Sequence, residues 1–175
     1  RGSIYLNTIN IPESVCEIDS GAFLGCTALK NIVLPNGLVE IEDSLFLGCE
    51  SLESVNIPQN VVTIKDRAFS GCINLTNVVI PSSVMEIEDN VFCNCFLLEK
   101  IEVAQDNLNY RSIDDVLYSK DGTILIRYAP KKSDKKYQVL EGVKIIEGCA
   151  FQNATLLEQI ELPDGLIQIK DHAFA

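Results

Sequence analysis

Histidine occurs once in these 175 residues, tryptophan is absent, and lysine and arginine together number 14 against 25 acidic residues. Each shortage removes a class of function. The formal net charge of −11 and a pI near 4.5 describe a surface that repels the phosphates of nucleic acids and of anionic membranes. No apolar run approaches the roughly 18 residues of a membrane-spanning helix, so no direct insertion into a bilayer is expected of this chain. The lone His172 falls on a column held elsewhere by Ser44, Arg67 and Asn90, which reads as an exposed variable position. Ser133 and Lys136 have a serine–x–x–lysine spacing, but on a charged loop instead of a helix that aims the lysine at the serine. Asp106, Asp114, Asp115 and Asp121 do not fit the twelve-residue calcium loop and read as solvated turn residues. No enzyme activity, cofactor or metal is expected.

What the chain does contain is a repeat. Phe23, Phe46, Phe69 and Phe92 fall 23 residues apart, and Pro12, Pro35, Pro58 and Pro81 keep the same interval. Leu6, Leu29, Leu52, Leu75, Leu98 and Leu157 align, as do Ile9, Ile32, Val55, Val78, Ile101 and Ile160. Ile18, Ile41, Ile64, Ile87, Ile146 and Ile169 form a further column, and the phenylalanine column resumes at Phe151 and Phe174. A period of about 20–29 residues with leucines at fixed offsets specifies a leucine-rich solenoid, whose coils bury their apolar faces by stacking. Coils begin near residues 6, 29, 52, 75, 98, 134 and 157, and the fifth carries 13 extra residues. The unbroken register argues for one leucine-rich repeat domain over 1–175. The chain opens almost inside a strand and stops just after Phe174, so it reads as part of a longer protein.

Within a coil, Ile32–Val33–Leu34 shows the period-2 alternation of a half-buried strand. Pro35 ends it, because proline cannot donate to a ladder. A second short extended piece is expected over Leu38–Ile41. Asp19–Cys26 then turns the corner, expected as a single helical turn burying Phe23, with Gly25 supplying the tight bend. Stacked strands lie about 4.8 Å apart, so one continuous parallel sheet is predicted on one face. Short strands and single helical turns are predicted on the other, with one β-hairpin inserted at about 104–133.

Cys26, Cys49, Cys72 and Cys95 share a column in which Ala154 also stands. Side chains in register point in parallel, whereas a disulfide needs converging β-carbons. The column therefore reads as buried free thiols in small apolar pockets. One cysteine per coil cannot surround a zinc ion. Cys16, Cys93 and Cys149 lie off the column, and Cys93 and Cys95 are too close for a relaxed bridge. Seven cysteines without evident pairs suggest a reducing or anaerobic setting.

These residues resemble the BspA-like, or Treponema pallidum type, leucine-rich repeats. The pattern reads here as Leu52–Val55–Ile57–Pro58, Val61–Ile64, Ala68–Phe69 and Gly71–Cys72. The interrupted repeat of that family is matched in Asn107, Tyr110, Asp115–Val116–Leu117–Tyr118, Asp121–Gly122 and Tyr128. The sequence departs from it where valine follows Asp115, where Ala129 precedes Pro130 and where Leu140 replaces the turn proline. The resemblance implies a bacterial or protist protein, at the cell surface or secreted. It implies adhesion to a protein partner, such as the matrix protein fibronectin, or co-aggregation of cells. The competing reading is a structural spacer or oligomerisation scaffold within a larger surface protein, in which open strand edges permit edge-to-edge self-association.

Two surfaces are candidates for a partner. On the sheet face, Asn31, Ser54, Asn77 and Lys100 form one outward column, and Val33, Asn56, Val79 and Glu102 form its neighbour. That face either recognises a polar partner or is simply solvated. The second candidate is a hairpin patch of Tyr118, Arg127, Tyr128, Lys131 and Lys132 around the turn signal Lys120–Asp121–Gly122. Tyrosine beside arginine is favoured at interaction hot spots; alternatively the tyrosines pack the hairpin onto the solenoid.

Overall fold

The 23-residue period becomes a stack of extended coils in the computed structural model, which describes residues 2–175. Each regular coil contributes one front strand and one shorter back strand: β1 (Asn31–Val33) and β2 (Glu40–Ile41), β3 (Ser54–Asn56) and β4 (Thr63–Ile64), β5 (Asn77–Ile80) and β6 (Glu86–Ile87). Coil five supplies β7 (Lys100–Val103) and then the insertion, β8 (Tyr110–Ile113), β9 (Val116–Ser119) and β10 (Ile124–Tyr128). The last two coils give β11 (Lys136–Gln138), β12 (Ile145–Ile146), β13 (Gln159–Glu161) and β14 (Gln168–Ile169). Pairing between coils is parallel with a one-coil offset, as in Asn31↔Ser54, Asn77↔Lys100 and Glu40↔Thr63. The strands end in turns that begin at proline: Leu38, Val61 and Val84 donate their N–H groups to the carbonyls of Pro35, Pro58 and Pro81.

The corner differs from the expected helical turn, and among the described residues there is no helix. Its N–H groups alternate between two duties. Ala22, Leu24 and Cys26 donate within their own coil, to Asp19, Gly21 and Phe23. Gly21, Phe23 and Gly25 donate instead to Asp43, Leu45 and Leu47 of the next coil. A helix would spend every N–H locally and leave the following coil unbonded. The alternation needs left-handed backbone twice per coil. One such column is Gly21, Ser44, Arg67, Asn90, Cys149 and His172, all with φ between 54° and 65°. The position of His172 is therefore a backbone requirement, met at a cost by residues other than glycine.

Inside the corner the phenylalanines form a ladder. Phe23, Phe46, Phe69 and Phe92 stack with centroids 5.5, 5.5 and 5.8 Å apart and rings within 7° of parallel. The cysteine column lies beside it and remains unbridged, as expected: the thiols of Cys49, Cys72 and Cys95 donate to the carbonyls of Phe23, Phe46 and Phe69 at 3.1, 3.3 and 3.2 Å. Each thiol thus satisfies a carbonyl of the preceding coil. Burial pushes the Cys49 and Cys95 thiols up to about 12, so these two are uncharged at neutral pH.

The front face is not one continuous sheet: its strands pair two by two, and the insertion separates the last pair from the others. Paired front strands occur as β1–β3, β5–β7 and β11–β13, and the insertion intervenes between β7 and β11. β8, β9 and β10 form an antiparallel meander, and β10 continues in parallel onto β12 and β14. Asp114 and Asp115, both left-handed at φ 48° and 58°, make the two-residue turn between β8 and β9. The β9–β10 turn is held by Asp121, whose carboxylate accepts from the Ser119 hydroxyl and from the Thr123 N–H and hydroxyl. Those hydrogen bonds draw its carboxyl down to about 2. Tyr128 stands in for the missing phenylalanine, 5.3 Å from Phe151, which stacks in turn on Phe174 at 5.2 Å.

Candidate functional site

The eight front-face candidates occupy four strands, β1 in register with β3 and β5 in register with β7, and all eight side chains are exposed. Alternation puts Ile32, Val78 and Ile101 inside and leaves Asn31, Asn77 and Lys100 outside. Val33 and Val79 are 68% and 46% exposed, two apolar points in a field of amides and hydroxyls. Across the columns the Ser54 hydroxyl donates to the Asn31 side-chain oxygen at 3.2 Å. Lys100 and Glu102 pair at 2.7 Å, an exposed ion pair of small energetic worth. The Asn77 side-chain oxygen accepts from Thr76 at 3.3 Å, so the amide NH2 groups of Asn31 and Asn77 and the whole Asn56 amide are the groups left to bond a partner in place of water. Lys136, Gln138, Gln159 and Glu161 extend the same pattern beyond the insertion.

The hairpin patch requires correction, because three of its five residues are interior. Tyr118, Arg127 and Tyr128 are 0%, 2% and 1% exposed. The insertion takes the place of half a coil, so its large side chains fill the volume that a regular coil would. Tyr118 and Tyr137 share a hydroxyl–hydroxyl hydrogen bond of 2.6 Å, and the Tyr128 hydroxyl donates to Asp134 at 3.2 Å. Burial raises the hydroxyl pKa of all three tyrosines. Lys132 pairs with Asp134 at 3.4 Å and lies 5.8 Å from the Tyr128 ring centre, leaving Lys131 as the exposed member. The alternation Leu125–Ile126–Arg127 carried a signal of this, since Arg127 stands two residues after an inward leucine.

The cysteines also depart from expectation at one point: Cys93 and Cys149 form a disulfide, with α-carbons 5.6 Å apart. The insertion occupies the strand side of the fifth level, which brings the corner of coil four against that of coil six. The Asn94 N–H donates to the Gln152 side chain at 2.7 Å, and Lys170 spans from Glu147 at 2.6 Å to Asp89 at 3.5 Å across the same junction. Because the two cysteines occupy non-equivalent positions, their side chains converge where an in-register pair would run parallel. One bridge therefore exists, and the case for a reducing environment loses its premise.

Comparison with known proteins agrees with this geometry. Six copies of the BspA type leucine rich repeat region match residues 1–121 and 130–175. The unmatched residues 122–129 are the end of the hairpin turn and the whole of β10. The crystal structure of a leucine rich cell surface protein from Faecalibacterium prausnitzii A2-165 is similar, with a TM-score of 0.84 and 38% identity over 89% of this chain and 41% of that one. The pneumococcal vaccine antigen PcpA has a TM-score of 0.80 and 31% identity, over 84% of this chain and 37% of its own. A leucine-rich repeat protein from Bacteroides ovatus gives a TM-score of 0.59 at 25% identity over 95% of this chain and 48% of its own. The chain thus spans less than half the length of these relatives. No curated protein matches it.

Proposed function

The chain belongs to the BspA-type leucine-rich repeat family, and from that premise we propose that it is a non-catalytic adhesion module of a bacterial cell-surface protein. Its partner is a protein, of which a host matrix protein such as fibronectin is the first example to test. The observation that carries this reading is the front face: eight exposed side chains on two pairs of in-register strands, three of them amides, with Val33 and Val79 as apolar anchors. The amide NH2 donors of Asn31 and Asn77 and both ends of the Asn56 amide suit a peptide backbone, and the valines supply the small desolvated centre such a contact needs. The similarity to a leucine rich cell surface protein supports the location.

The test is binding of the chain to immobilised matrix proteins, fibronectin included, beside a variant carrying Asn31→Ala, Asn56→Ala and Asn77→Ala. Saturable binding that the triple variant loses supports adhesion through this face. Binding that survives moves the contact elsewhere on the coil stack. Absence of binding across the panel favours the spacer or scaffold reading.

A further inference from the structure

The insertion leaves a cleft of about 470 Å³ between coil four, the hairpin and the corner of coil six. Its volume lies within the range of about 300–1,000 Å³ usual for small-molecule sites. Met85, Ile87, Leu108, Ile124 and Ile126 supply apolar wall, and Arg127 lines it as well. Met85 and Leu108 are 64% and 82% exposed, unusual for large apolar side chains beside a concavity.

Arg127 is the least satisfied polar group in this region. One guanidinium nitrogen, Nη1, donates to the Cys149 carbonyl. Nε and Nη2 are buried and have no partner. These two nitrogens form one edge of the guanidinium, whose parallel N–H bonds match the two oxygens of a carboxylate. No carboxylate of the chain is paired with them, since the acids around the cleft are engaged elsewhere. Glu147 and Asp89 pair with Lys170, Glu88 accepts from the Asp66 N–H at 2.9 Å, and Asp121 holds its own turn. A buried cation with unmade hydrogen bonds is costly and gains from an anion that completes it. Burial lowers the Arg127 pKa only to about 10, so the group remains charged at neutral pH.

We propose that this cleft binds a small monocarboxylate with an apolar body, its carboxylate on the Nε/Nη2 edge of Arg127 and its hydrocarbon against Met85, Ile87, Leu108, Ile124 and Ile126. A single negative charge fits better than a phosphate, because four acidic side chains line the same cleft. The site is separate from the front face and does not depend on the adhesion reading.

Calorimetric titration of the disulfide-intact chain with octanoate and 4-phenylbutyrate, against octanamide and 4-phenylbutyramide, tests this. The acids bind saturably, and each amide binds at least about tenfold more weakly, because it cannot accept both charge-assisted bonds. Arg127→Met removes the preference for acid over amide. Leu108→Glu sets a like charge at the exposed wall and weakens acid binding by about tenfold without touching the core. No binding of either acid, equal binding of acid and amide, or an unchanged affinity in Leu108→Glu overturns the proposal. Should Arg127→Met fail to fold, the amide comparison and Leu108→Glu decide it.

Discussion

Replacing Phe69 by alanine removes one of the two inner rings of the corner stack. Phe69 is wholly buried, with Phe46 on one side at 5.5 Å and Phe92 on the other at 5.8 Å. A buried phenylalanine truncated to alanine costs about 3–5 kcal/mol through lost transfer energy and the cavity left behind. Two stacked contacts on an unyielding ladder place Phe69 at the upper end of that range. For a domain of this size each kcal/mol lowers the melting temperature by about 2–4 °C, so the expected fall is roughly 10–20 °C. Phe174 provides the internal control, being 46% exposed with Phe151 as its one stacked neighbour at 5.2 Å. Having about half the area to lose, Phe174→Ala costs under about 2 kcal/mol. Both variants are compared by thermal melting followed by far-ultraviolet circular dichroism. Equal losses in the two, or an unchanged midpoint for Phe69→Ala, would refute the stacked-ladder account.

Other consequences follow from the same structure. Reduction of Cys93–Cys149, whose partners are 56 residues apart, removes a constraint worth about 2–4 kcal/mol; melting with and without reductant shows the loss, and a Cys93→Ala/Cys149→Ala variant no longer responds. Cys72→Ala costs about 1–2 kcal/mol from the lost bond to the Phe46 carbonyl and a small cavity, and leaves the reductant response intact. Above pH 9 stability falls, because the unfolded chain releases protons from Cys49 and Cys95 that the folded chain holds until about pH 12; denaturant titrations at pH 8 and pH 10 measure the drop, and a flat profile contradicts it. Arg67→Gly relieves a left-handed φ of 54° and raises stability by roughly 0.5–1 kcal/mol, whereas Arg67→Val at the same site lowers it.

The regular coils were legible because their interval is a physical repeat. A column recurring every 23 residues can only be buried by its own copy one level up, so strand register, the phenylalanine ladder and the unbridged thiols all followed from spacing. The corner was misread because local composition does not reveal where each N–H must go. Gly21 and Gly25 look like helix-flanking residues until alternate donors are committed to the next coil. The insertion was legible as a hairpin but not in its consequences. Cys93 and Cys149 share no column, and they meet because the insertion of coil five lies on the strand side and leaves the corners of coils four and six in contact. Arg127 followed them out of view, since a basic residue beside Lys131 and Lys132 reads as surface until the hairpin is known to replace core. The front-face columns needed no such knowledge: strict alternation exposed them in the sequence as it does in the fold.

The most direct test of partner recognition through that face is hydroxyl-radical footprinting of the chain, free and bound to whichever matrix protein captures it. The account predicts that labelling of Val33 and Val79 falls on binding while labelling of Met85 and Leu108 at the cleft is unchanged. Protection confined to the cleft or the corners, with both valines labelled as in the free chain, would contradict it.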